Sequence, residues 1–137
     1  MILSRYGGGG ARVNVYIVNV EIKATQSGYK TYMSFKDSKD KLHERQLDKE
    51  RKASMQSNYL AGFIAVLTAL QNPCMLSIYS YSDYIVEPVR QGWLQSWAQH
   101  EWKNAKGKTV RNVEQWQQVK KLLAGHSVRF INNKEDK

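Results

Sequence analysis

The spacing of apolar residues changes along this chain, and that change restricts the fold more than any other feature. From Val13 to Ile22 the sequence reads V-N-V-Y-I-V-N-V-E-I, with apolar side chains at every second position. They fall first at Val13, Val15 and Ile17 and then, one residue out of phase, at Val18, Val20 and Ile22. A period of two is that of a strand with one buried face, and a phase change within it marks a bulge. After the turn residues Gln26-Ser27-Gly28, Tyr29 to Phe35 alternates again, which predicts an antiparallel hairpin. Lys36 to Lys52 is dense in both signs of charge and keeps Leu42 and Leu47 as its strong apolar residues. It reads as an exposed edge strand or a helix, with the strand favoured, its charges protecting it from unwanted pairing.

The period then lengthens. Leu60, Phe63, Ile64, Leu67 and Leu70 fall at helical spacing within Tyr59 to Leu70, with Ser57 as the expected N-cap. Asn72-Pro73 stops this helix, and Met75 to Tyr79 is a short apolar run of the kind buried on both faces of a sheet. Past Ser82, Tyr84, Ile85, Val89 and Trp93 form a second helical stretch that Pro88 kinks, and Trp97 and Trp102 continue the series. Gly107 breaks it inside a basic loop from Lys103 to Lys108. A third helix is expected from about Arg111 to Ala124, with Trp116 and Val119 inward and Gly125 at C′, before a last strand from Ser127 to Ile131. Three strands, a helix, a strand, helices and a strand give an α/β layout with a mixed sheet. Residues 1–12 read as a flexible Gly-rich tail, 13–131 as one domain and 132–137 as a polar tail; 137 residues at 42% hydrophobic suit a single core.

A net charge of +9 favours polyanionic partners, nucleic acid or an anionic membrane surface. No window reaches the roughly 18 apolar residues of a membrane span, and the N-terminus lacks an apolar core followed by a small-residue cleavage site. The expectation is a soluble, intracellular, cytoplasmic protein without a membrane partner. Cys74 is the only cysteine, which excludes an internal disulfide and a multi-cysteine zinc site, and it reads as a buried small hydrophobe. His43, His100 and His126 stand too far apart for a metal motif. No metal and no cofactor are expected.

Two stretches resemble type 1 ribonuclease H. I-Y-S-Y-S-D-Y-I-V from Ile78 is similar to the family's L-Y-S-D-S-x-Y-V-V, and V-R-N-V-E-Q-W at Val110 to Trp116 is similar to its V-K-N-V-D-L-W. Between them Trp93, Trp97 and Trp102 keep the family's tryptophan spacing. A weaker match covers Ser57 to Leu70, and the whole resemblance runs from about Val13 to Ile131. It implies a ribonuclease H-like fold: a five-stranded mixed sheet with helices on both faces, here with the C-terminal helix missing.

Enzymes of that family cut the RNA strand of an RNA–DNA hybrid with two divalent metals held by four carboxylates. Several anionic oxygens are what hold two hard cations close together. In this sequence the matching positions fall on Val18 (Asn19 if the register slips by one), Gly62 and Tyr81, and the fourth lies on the helix beyond Lys137. No catalytic residue is therefore carried over, and the expectation is a catalytically inactive relative, not an enzyme, that binds hybrid or another duplex without cleaving it. Glu21 and Asp83 lie close in sequence to two of those positions and could rebuild a metal site.

The binding side of the resemblance is fuller. Ser57, Asn58 and Asn112 match residues that hold a DNA-strand phosphate, and donors near helix N-termini suit an anion. Trp93, Trp97 and Trp116 match the tryptophans bordering the DNA-strand groove, while His100, Lys103, Lys106, Lys108 and Arg111 match the basic protrusion that touches phosphates. The alternative expectation is a protein partner: an adaptor or inhibitor of viral origin that reuses the fold to dock on host nucleic-acid or translation machinery.

Overall fold

A computed structural model of the chain describes residues 16–80 and 83–131. The Gly-rich stretch and the polar tail, with Val13, Val15, Tyr81 and Ser82, lie outside the described residues. Five strands, β1 (Tyr16–Thr25), β2 (Gly28–Lys36), β3 (Leu42–Glu50), β4 (Cys74–Ser80) and β5 (Ser127–Phe130), form one sheet in the order β3-β2-β1-β4-β5. β1 runs antiparallel to β2 and parallel to β4, and β4 is parallel to β5, so the sheet is mixed. β3 is the charged edge strand that the sequence predicts.

In β1 the second apolar series wins. Val18, Val20 and Ile22 are buried with Met33, Phe35, Leu76 and Ile78, whereas Ile17 stands on the opposite face, 50% exposed. The pairing of β1 with β4 shifts between Val20 and Glu21, three residues beyond the phase change in the sequence.

Helix α1 (Met55–Ala69) lies across β1, β2 and β3 and packs its other side on α4 (Val113–Leu123). Covered from two sides, it is apolar almost all round, burying Tyr59, Leu60, Phe63, Val66 and Leu67. Its N-cap is Ser54, whose Oγ accepts the Ser57 N–H at 3.0 Å, so Ser57 stands inside the helix and not at its cap. The core therefore occupies one face of the sheet. Ile17, Asn19, Glu21, Tyr32 and Ser77 line the other face.

The second helical stretch is split. Pro88 sits inside α2 (Asp83–Arg90), and Gly92 at φ 75° separates it from α3 (Trp93–Gln99). Proline withholds an N–H from the helix, and a left-handed glycine ends the turn cheaply. α4 starts at Val113 and not near Arg111, because Asn112 adopts a left-handed conformation at φ 57°.

Candidate nucleic-acid interface

The N-terminal turns of α1 and α4 meet. The Ser57 hydroxyl donates to Gln115 Oε1 at 2.8 Å, and Gln115 Nε2 returns a hydrogen bond to the Ser57 carbonyl at 2.9 Å. Arg51, just after β3, reaches into this junction. Its Nη1 donates to Ser57 Oγ at 3.0 Å and to Asn58 Oδ1 at 2.9 Å. Asn58 Nδ2 donates to the carbonyls of Thr25 and Arg51 at 2.7 and 2.8 Å, tying the β1–β2 turn to the approach to α1. Fully buried, Asn58 uses both ends of its amide within the protein. Asn58, expected at a phosphate, here holds Arg51 and the backbone. Ser57 is buried too, with its hydroxyl committed on both sides. What the pair presents is the Arg51 guanidinium, half-buried, with Nε and Nη2 unengaged among the described residues.

Asn112 takes no part as a side-chain cap. Its Nδ2 donates to the Tyr84 hydroxyl at 3.1 Å, which also accepts Trp116 Nε1–H at 3.2 Å. From Tyr84 the rings run on in sequence. Trp116 packs against Tyr84 at 5.7 Å between centroids and against Trp97 at 5.8 Å; Trp97 meets Trp93 at 6.1 Å and Trp102 at 6.4 Å. Trp116 is wholly buried in the core beneath the other rings; Trp97 is half-buried, and Trp93 is 43% exposed.

The basic loop is tied at its base by backbone hydrogen bonds. Glu101 and Trp102 both hold positive φ, 59° and 62°. That conformation costs side-chain-bearing residues on the order of 1 kcal/mol each. It is secured by Trp102 N–H to Trp97 O at 2.6 Å and Val110 N–H to Trp102 O at 2.9 Å. Within the loop Asn104 Oδ1 accepts the Lys106 and Lys108 N–H groups at 2.9 and 3.1 Å. Lys103, Lys106 and Lys108 are exposed and join no ion pair among the described residues. His100 is exposed, and its Nδ1 donates to the Ser96 carbonyl at 2.7 Å, which leaves Nε2 as the other polar atom of the ring.

A family model for RNase H matches residues 16–133. The chain belongs to the RNase H family. The ribonuclease H of Chlorobium phaeovibrioides (strain DSM 265 / 1930) is 42% identical over 71 residues, 52% of this chain and 49% of that protein. That of Clostridium botulinum (strain Hall) is 37% identical over 75 residues, 55% of this chain and 50% of that protein. This chain thus spans about half the length of the relatives it matches. Among solved structures, LC9-RNase H1, described as a type 1 RNase H with the type 2 active-site motif, superposes with a TM-score of 0.66 at 17% identity, over 89% of this chain and 65% of that one. A foamy viral protease-reverse transcriptase in complex with RNA/DNA hybrid gives 0.65 at 12% identity, over 96% of this chain and 20% of that one. These likenesses carry the fold.

The relatives also overturn one expectation. The chain was expected not to be an enzyme, yet the proteins that share 37–42% of residues with it over about half its length are ribonucleases H by name. Replacement at motif positions does not by itself abolish an activity.

Of the positions matched to metal-binding carboxylates, Val18 is buried in the core and Tyr81 lies outside the described residues. Gly62 has a packing reason of its own. A Cβ there would stand 3.1 Å from Ile22 Cγ2, 3.2 Å from Thr31 Cγ2 and 3.3 Å from Tyr29 Cδ1, so the glycine lets α1 approach the sheet. Glu21 is exposed, on the face opposite Val20 and Ile22. Among the described residues no three His, Cys, Asp or Glu side chains form a group that could hold a metal ion. The family's two-metal site does not fit the described residues. No described helix is long and apolar enough to cross a membrane.

Sequence reasoning missed Arg51, Gln115 and Tyr84. Arg51 sits in a charge-dense run that looks like a solvated face; the signal that could have marked it is its place shortly before the Ser57-Asn58 pair.

Proposed function

We propose that this chain binds RNA–DNA hybrid along a surface that starts at Arg51, passes the exposed edge of the tryptophan row and ends on the loop from His100 to Lys108. The observation that carries the reading is the Arg51 guanidinium. It is fixed by Ser57 and Asn58, beside the N-terminal turns of two helices, with donors left to meet a phosphate. An arginine held in place offers a phosphate paired hydrogen bonds at little further entropic cost, and backbone N–H groups of helix N-termini add to the attraction. Asn112 supports this surface through Tyr84, while Trp93 and Trp97 offer apolar rings to sugars. Lys103, Lys106, Lys108 and Arg111 supply charge at its far end.

The test is a fluorescence-anisotropy titration of labelled hybrid, duplex RNA and duplex DNA at rising salt. Hybrid is expected to bind, and its affinity to fall with salt by a log–log slope of roughly 0.9 per phosphate contacted. Absence of binding to all three at low salt sinks the reading. The relatives' name makes hybrid cleavage the reaction to follow, so the same hybrid is incubated with Mg²⁺ or Mn²⁺ and its products resolved on a gel.

A further inference from the structure

Two cavities share a wall. The larger, about 660 Å³, is bounded by Trp93, Trp97, His100, Lys103 and Asn104. The smaller, about 280 Å³, is bounded by Tyr84, Glu87, Trp93, Trp97, Asn104 and Arg111, with Trp116 at its base. Trp93, Trp97 and Asn104 line both. Of these, Trp93 is an exposed large aromatic, and a protein gains nothing in stability by leaving such a ring in water.

The polar groups differ between the two. The larger cavity is cationic, with Lys103 in its wall beside the exposed His100. The smaller is lined by aromatic rings, and its charges, Glu87 and Arg111, cancel. Asn104 is fixed in orientation, because Oδ1 already accepts two backbone N–H groups and Nδ2 is left as the donor. One cavity therefore suits a phosphate and its neighbour suits a flat aromatic ring with hydrogen-bonding edges.

We infer that this paired cleft takes an unpaired nucleotide, with its base against the Trp93 indole on the Glu87 side and its phosphate toward Lys103. Bases within a duplex are already stacked on both faces and cannot lie on Trp93, so the occupant is a single-stranded extension of a bound duplex. Base–aromatic stacking tolerates any sequence because every base has a π face. The overall charge of +9 and the lysines beside the cleft, which join no ion pair among the described residues, favour a polyanion over an apolar peptide. The inference rests on the hybrid-binding reading and adds to it a preference for ends or junctions.

The experiment compares three hybrids by anisotropy at one salt concentration: blunt, with a three-nucleotide single-stranded extension, and with the same extension made abasic. The extension is expected to tighten binding by about fivefold or more, the lower range for stacking one base on an aromatic ring. The abasic extension is expected to give less than half of that gain. In Trp93→Ala the ratio between extended and blunt hybrid falls to near one, whatever happens to blunt binding. 2-Aminopurine in the extension is quenched by the unaltered protein and not by the variant. Trp93→Phe, which keeps a ring, retains part of the ratio and guards against misfolding as the cause. Equal binding of blunt and extended hybrids overturns this inference and leaves the hybrid reading standing, whereas failure of every hybrid to bind overturns the hybrid reading itself. A gain that the abasic extension reproduces, or that Trp93→Ala retains, also overturns the inference, because charge alone then explains it.

Discussion

The junction around Asn58 and the loop around Asn104 both centre on a buried or half-committed asparagine, yet they present charge in opposite ways. At the junction every motif side chain is spent inside the protein: Ser57 on Gln115 and Arg51, Asn58 on Arg51 and two backbone carbonyls. A single guanidinium emerges, already oriented. In the loop the asparagine organises backbone alone, and three lysines extend into water on flexible stems. The first region can specify where a phosphate sits. In the second, Lys106 and Lys108, which line neither cavity, can only raise the local concentration of anions, because exposed ammonium groups act as screened point charges.

That contrast breaks most readily at Asn58. Asn58→Ala removes a buried amide that holds three side-chain hydrogen bonds and leaves the Thr25 and Arg51 carbonyls short of a donor, which is expected to cost about 3 kcal/mol. Thermal unfolding is expected to shift down by roughly 10 °C, and a shift below about 2 °C would mean that Asn58 is not the brace described. Replacing Lys103, Lys106 and Lys108 together by alanine tests the other region. Its expected effect is on binding alone: a hybrid salt slope shallower by up to about 0.9 for each phosphate lost, with stability changed by less than about 0.5 kcal/mol per site.

A smaller effect is expected from pH, and it belongs to neither region. His126 Nδ1 accepts the Cys74 N–H at 3.0 Å, a bond that only the neutral ring can make, and burial lowers its pKa below the usual 6.5. The folded state therefore binds a proton less readily than the unfolded chain. Stability is complete above pH 6.5 and declines as pH falls through the window beneath it. Asp37 acts lower: hydrogen bonds from His43 and from the Lys41 and Lys39 N–H groups hold its carboxyl at about 2, so its contribution is present above pH 4 and lost toward pH 2. A melting temperature that rises between pH 6.5 and 5 would contradict the first assignment.

Much of the fold was legible because periodicity reports burial directly. Val18, Val20 and Ile22 mark the inner face of β1, and the charge-dense Leu42–Glu50 is the edge. Boundaries slipped where a single residue's backbone decided them: Ser54 and not Ser57 caps α1, Gly92 divides α2 from α3, and left-handed Asn112 delays α4. The site was legible only by residue type. Nothing in the spacing of Ser57 and Asn58 says that both are buried, that Trp116 is core, or that an arginine six residues earlier folds back onto them; these are consequences of the α1–α4 packing. Cys74 behaves as expected, buried, its thiol pushed up to about 11 by desolvation.

The central claim is that Arg51, positioned by Ser57 and Asn58, anchors a phosphate of a bound duplex. Its most direct test is the affinity for blunt RNA–DNA hybrid, measured against salt, for the unaltered chain, Arg51→Lys and Arg51→Ala, with thermal unfolding of each recorded alongside. Arg51→Ala is expected to weaken binding about tenfold or more and to flatten the salt slope by about 0.9. Arg51→Lys is expected to restore the slope while recovering only part of the affinity, since the charge returns without the fork. Affinity and slope unchanged in a folded Arg51→Ala protein would contradict the account.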